Sequence, residues 1–101
     1  MSEQRSTLYA KLLGETAPIA WKELEPFFAR GAVLHVEGGL NLVEVATVLS
    51  MDEKAQAAAW LADGGLSRLS TERAQDWVSR APDLWAVVVA PWVLVQERTK
   101  G

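Results

Sequence analysis

The run Leu84-Trp-Ala-Val-Val-Val-Ala-Pro-Trp-Val-Leu-Val95 constrains this chain more than any other segment. Twelve consecutive residues carry no charge and, apart from two indole N–H groups, no side-chain hydrogen-bonding group. A helix that crosses a bilayer needs about 20 apolar residues, so the run is too short to span. Its valines and tryptophans favour a strand, and both faces of that strand are apolar. Such a strand must be covered on both faces, by its own domain or by a partner. Pro91 cannot donate to a sheet ladder and marks an edge position, a bulge or a break between two strands.

A chain of 101 residues predicts one domain over 1–101, with frayed ends at 1–6 and 98–101. Half of its residues are apolar, enough for a packed core. Without cysteine there is no disulfide, thiol nucleophile or thiolate metal site. The first residues lack the apolar stretch of a secretion signal, so the expected location is cytoplasmic and away from membranes. A formal charge of −3 disfavours general nucleic-acid binding, which usually requires a basic domain.

Leu8, Leu12 and Leu13 fall at helical spacing, with Gly14 a candidate interruption. Thr16 is a candidate cap for a second helix with Pro18 in its first turn, and Pro26 predicts a kink or an end near Glu25. Residues 32–36 read as a short strand and Glu37-Gly38-Gly39 as a turn. Asn41 caps a helix whose apolar positions are Leu42, Val45, Ala46 and Leu49. Asp52 is expected to cap the next helix, which ends at Asp63-Gly64-Gly65. Residues 66–69 give a second short strand. Ser70 or Thr71 caps a helix that turns Ala74, Trp77 and Val78 inward. The predicted class is α+β: about four helices and a small sheet with a long C-terminal strand, the helices covering one sheet face.

The segment from Asn41 to Leu69 resembles the second and third helices and first wing strand of a winged helix. The resemblance rests on Leu42, Ala46, the run Leu49-Ser50-Met51-Asp52, Trp60-Leu61 and Gly65-Leu66. It implies a nucleic-acid or transcription-related role, with Arg68, Arg73 and Arg80 as backbone contacts, or else a docking role. The helix that would enter the groove begins with Asp52 and Glu53, whose charges repel phosphate. A longer resemblance runs through Glu15-Thr-Ala, Ile19-Ala-Trp-Lys-Glu-Leu24, Phe28-Ala-Arg-Gly31, Leu42-Val-Glu-Val-Ala46 and residues 85–97. These segments resemble domain of unknown function 2288, a family of small bacterial proteins. That resemblance implies no activity, and no functional residue carries over from it.

His35 is the single histidine, and alternation puts Leu34 and Val36 on the opposite strand face. A general base needs a nucleophile or orienting carboxylate beside it, and only Glu37 is near in sequence. The expected role is a half-exposed strand histidine. One histidine and no cysteine give too few ligands for zinc, so no metal and no cofactor are expected. Gly38-Gly39 and Gly64-Gly65 match no phosphate-binding pattern. No catalytic cluster emerges, and the chain reads as a non-enzyme.

Five tryptophans in 101 residues are unusual. Each buries about 150–250 Å², so they can supply much of a small core, yet a domain this size can hardly hide every ring completely. The expected function is therefore protein interaction, with a second copy of the chain in a homodimer or another protein as partner. Trp77, Trp85 and Trp92 are the candidate surface residues.

Overall fold

The structure is a computed structural model that describes residues 3–98. The elements are α1 (Glu3–Glu15), β1 (Ala17–Ile19), α2 (Trp21–Ala29), β2 (Val33–Val36), α3 (Leu42–Ser50), α4 (Lys54–Asp63), β3 (Leu66–Arg68), α5 (Thr71–Arg80), β4 (Asp83–Val89) and β5 (Trp92–Arg98). The class is α+β, as expected. Helix α1 takes in residues 3–6, which the sequence suggested would fray, and Arg5 pairs with Glu53 at the α4 start. Arg98 closes β5 rather than fraying, and residues 1–2 and 99–101 of the expected frayed ends lie outside the described residues.

The apolar C-terminal run forms two strands. Pro91 breaks it, and β4 and β5 pair as an antiparallel hairpin from Asp83↔Arg98 to Val89↔Trp92. The five strands stand in the order β1-β4-β5-β2-β3, with β2 and β5 parallel and the other pairs antiparallel. The hairpin thus occupies the sheet interior, where strands apolar on both faces belong.

Both sheet faces carry helices, which corrects the expectation of one covered face. Leu34, Val36, Leu66, Val87 and Leu94 pack with residues of α1 and α3, and Trp60 of α4 joins them. Val33, Leu84, Ala86, Val93 and Val95 turn to the opposite face, under Leu24 of α2 and Ala74 and Trp77 of α5. The reason is the two-residue period of a strand: a central strand apolar at every position needs a lid on each side.

Asn41, Gly64 and Ser70 act as the sequence suggests. The Asn41 side chain accepts from the backbone N–H of Val43 and Glu44, and Ser70 Oγ accepts from Arg73 N–H. Gly64 closes α4 at φ 86°, left-handed geometry that glycine adopts without a Cβ penalty. Asp52 is not a cap. It takes φ 57° in the joint between α3 and α4, and Glu53 occupies the cap position. Thr16 and Pro18 do not open a helix either. Pro18 lies in edge strand β1 opposite Trp85, where its missing N–H is tolerated, and α2 starts after Ala20. Helix α2 continues past Pro26 to Ala29. Proline removes one helical bond, to the carbonyl of Lys22, and both residues are exposed, so water can take its place.

Candidate functional site

Helix α5 governs the chemistry of its sheet face. Trp77 is fully buried and anchors the helix. Its indole N–H donates to Glu97 Oε1 at 3.2 Å. Arg80, one turn on, bridges two carboxylates: its Nε donates to Asp76 Oδ1 at 2.8 Å and its Nη1 to Glu97 Oε2 at 2.8 Å. Hydrogen bonds from Arg80 hold the carboxyl groups of Asp76 and Glu97 below their usual range, and the two carboxylates raise the Arg80 pKa in turn. This network ties the end of α5 to β5.

His35 lies under the same helix. Its ring is 4% exposed, not half-exposed, and meets the Trp77 ring with centroids 5.7 Å apart. Nδ1 is buried without a hydrogen-bond partner. Burial lowers the His35 pKa and Arg73 lowers it further, while Glu37 and Glu97 oppose the shift. The ring is a core side chain with no nucleophile or carboxylate bonded to it. Among the described residues, no group of three or more histidine, aspartate or glutamate side chains converges as a metal site.

Val78 breaks the expected pattern. The sequence grouped it with Ala74 and Trp77 as inward, yet it is 56% exposed. One residue past Trp77 is a 100° rotation about the helix axis, which carries Val78 out from the sheet and toward α2. There it enters a groove. One end, of about 640 Å³, is lined by Pro18–Trp21 on one side and by Trp77, Val78 and Ala81–Trp85 on the other. The other end, of about 350 Å³, runs between Trp21, Glu25 and Phe28 of α2 and Thr71, Ala74, Gln75, Val78 and Ser79 of α5. Trp21 and Val78 line both, so the two hollows adjoin there. Trp21 and Phe28 stack as a tilted pair at 5.6 Å along its α2 wall.

The three candidate tryptophans have different roles. Trp77 is core and forms part of the groove floor. Trp85 is half-buried, lines one end of the groove and lies beneath the Arg98 guanidinium at 4.9 Å. Trp92 is half-buried against the α1–α3 cluster with Arg68 5.3 Å above its ring. Trp85 and Trp92 share one sheet face, because the hairpin register places both on the side of Val87 and Leu94. Trp21, which the sequence reading counted among the aromatic residues without singling it out, is the aromatic member of the groove wall. Its position depends on β1, a three-residue strand with no sequence signal strong enough to announce it.

The three arginines sit on two elements, Arg68 on β3 and Arg73 and Arg80 two turns apart on α5. Arg68 is exposed on β3 and stacks on Trp92. Arg73 is 3.9 Å from Glu37, and Arg80 is held by Asp76 and Glu97. The succession of helix, tight joint, helix and strand from Asn41 to Arg68 is present, but it sits inside a five-stranded sheet with helices on both faces.

No helix among the described residues is long and apolar enough to cross a membrane. No curated protein matches the chain. The NMR solution structure of PA1075 from Pseudomonas aeruginosa is similar over 99% of this chain and 93% of that one, at 61% identity and a TM-score of 0.82. The profile of the family described as protein of unknown function, DUF2288, matches residues 7–97, so the same segments that form the sheet interior and the groove walls identify the chain as a member of that family.

Proposed function

We propose that this protein is a non-enzymatic interaction module that binds another protein through the groove between α2 and α5. The observation that carries this reading is Val78, a large apolar side chain more than half exposed between Trp21 and Trp77. What sets Val78 apart from the other exposed apolar residues is its place in a concavity walled by half-buried Trp21 and Phe28, where a partner's side chain can be buried. Helices cover most of both sheet faces, so most of the apolar C-terminal run is buried without a partner, Val88 being the exception. His35 is buried without a reacting neighbour, which supports a structural role. The largely paired arginines favour protein interaction over nucleic-acid binding.

Site-specific photo-crosslinking tests this. A photoreactive residue at Val78, introduced in the native cell, is expected to give a discrete adduct that is lost in a Trp21→Ala background. The same residue at Leu13, exposed on α1 in the opposite helix layer, should give none. Equal labelling from both positions, or none from Val78, would refute the reading.

A further inference from the structure

We propose that α5 is a proton-released latch: when His35 takes up a proton, the helix leaves the sheet and uncovers Trp77 while the rest of the fold holds. The surroundings of the ring carry this. His35 is 4% exposed, its Nδ1 has no hydrogen-bond partner, and α5 covers it with the Trp77 ring at 5.7 Å. A neutral imidazole tolerates that seat. An imidazolium has two N–H donors to satisfy, and a buried charge without a partner is costly.

The charged groups around the ring are already engaged. From α5, Arg73 bears on it with a like charge. From β5, Glu97 accepts from the Trp77 indole at 3.2 Å and from Arg80 at 2.8 and 2.9 Å, and Arg80 also holds Asp76. Glu37, two residues along from His35, stands 3.9 Å from Arg73. Strand β3 sets Ser67 opposite His35 in the ladder. Helix α2, which shares this sheet face, keeps Lys22, Glu23, Glu25 and Arg30 exposed. A carboxylate that turned to the imidazolium would therefore give up a contact to α5. Glu97 would release the Trp77 indole and Arg80, and Glu37 would release Arg73. A protonated His35 and a docked α5 compete for the same acceptors.

Helix α5 is also the element built to let go. It buries only Ala74 and Trp77, and its ion pairs to the rest of the chain, among the described residues, are Arg73 with Glu37 and Arg80 with Glu97. Its C-terminal joint, Ala81, is held at φ 49°, a left-handed conformation unfavourable for alanine, so release relaxes the hinge. Beneath it the β4–β5 ladder and the opposite lid of α1, α3 and α4 are independent of α5. An element with few buried contacts opens before the whole domain does. The latch is closed above about pH 6.5 and opens increasingly below it, because burial and then Arg73 hold the docked ring's pKa down. Asp76 and Glu97, whose carboxyl groups Arg80 holds low, stay ionised at pH 5.5 and do not open it there.

Amide hydrogen exchange of the full chain, followed by NMR and corrected for the intrinsic pH dependence of exchange, tests the latch. The α5 amides should open more often than those of α3, with a weak dependence on urea. From pH 7.5 to pH 5.5 their opening constant should rise by up to about tenfold, the ceiling that one histidine of ordinary pKa sets over that interval. His35→Gln and His35→Leu, which stay neutral, should each remove the rise. The comparison of α5 with α3 in the unaltered chain needs neither variant. Opening of α5 only together with α3, at the same urea dependence, would overturn the proposal and leave a core histidine that titrates with global unfolding. Opening that does not change with pH would overturn it, as would a rise that survives in both variants. A His35 ring seen protonated by its carbon shifts beneath a protected α5 would overturn it too, because the cation would then be accepted in place.

Discussion

His35 and Trp77 share one buried contact and have opposite electrostatic needs. The indole N–H has Glu97 as its acceptor, whereas His35 Nδ1 has nothing. The folded chain therefore favours neutral His35, whose pKa is lowered from 6.5 first by burial and then by Arg73. Glu37 and Glu97 limit that shift without reversing it. The unfolded chain thus binds more protons than the folded chain once the pH falls through about 6.5. Stability should be constant above that value. Below it, stability should fall by at most about 1.4 kcal/mol per pH unit until the folded pKa is reached. Urea unfolding at pH 7.5 and pH 5.5 would measure this, and His35→Leu should flatten the dependence over that window. Asp76 and Glu97 act in a separate range. Their carboxyl groups are held down by Arg80, so the stability they lend is present above about pH 4.3 and lost at more acid values. Trp77→Ala removes the anchor of α5 and should cost about 3–5 kcal/mol. A loss under about 1 kcal/mol in the same urea assay would mean that α5 is not held by this ring.

At the level of elements, termini could be read from the sequence where a side chain or glycine closes them locally. Asn41, Ser70 and Gly64 were identifiable because a cap needs only its own helix. Asn41→Ala should cost about 1 kcal/mol by leaving the Val43 and Glu44 donors without their acceptor. Thermal unfolding would check it, and Asn41→Ser, which keeps an acceptor, should recover most of the loss. Asp52 and β1 were not legible for a common reason: distant partners decide both. Glu53 lies at the start of α4 and pairs with Arg5, 48 positions away in sequence. The three residues of β1 are a strand only because β4 pairs with them. The candidate site followed the same rule. Trp77 could be named from composition, but the hollow that it lines with Trp21 depended on β1 turning the chain into α2. Val78 was misread because adjacent apolar helix positions are often both inward, as Val45 and Ala46 are on α3, whereas α5 turns only Ala74 and Trp77 to the sheet.

At the scale of the whole molecule, the uncharged run from Leu84 to Val95 carried the main architectural information. Its two apolar faces required two lids, and the fold supplies both from its own helices: α1, α3 and α4 on one side, α2 and α5 on the other. Without that arrangement, an exposed hairpin face would have to be buried by self-association. With it, the remaining apolar surface is the groove around Val78 and scattered side chains such as Leu13, Leu61 and Val88. Isolated apolar residues of this kind are ordinary on a soluble surface. With both faces of the hairpin largely covered by its own helices, the chain should sediment as a monomer at concentrations of about 50 μM. Indole quenching should separate the tryptophans in that monomer. Trp77 should be shielded, and Trp21 at the groove wall should be accessible. A concentration-dependent dimer in which Trp21 is already protected would show that the two lids do not complete the fold, and that the groove is the seam between two copies.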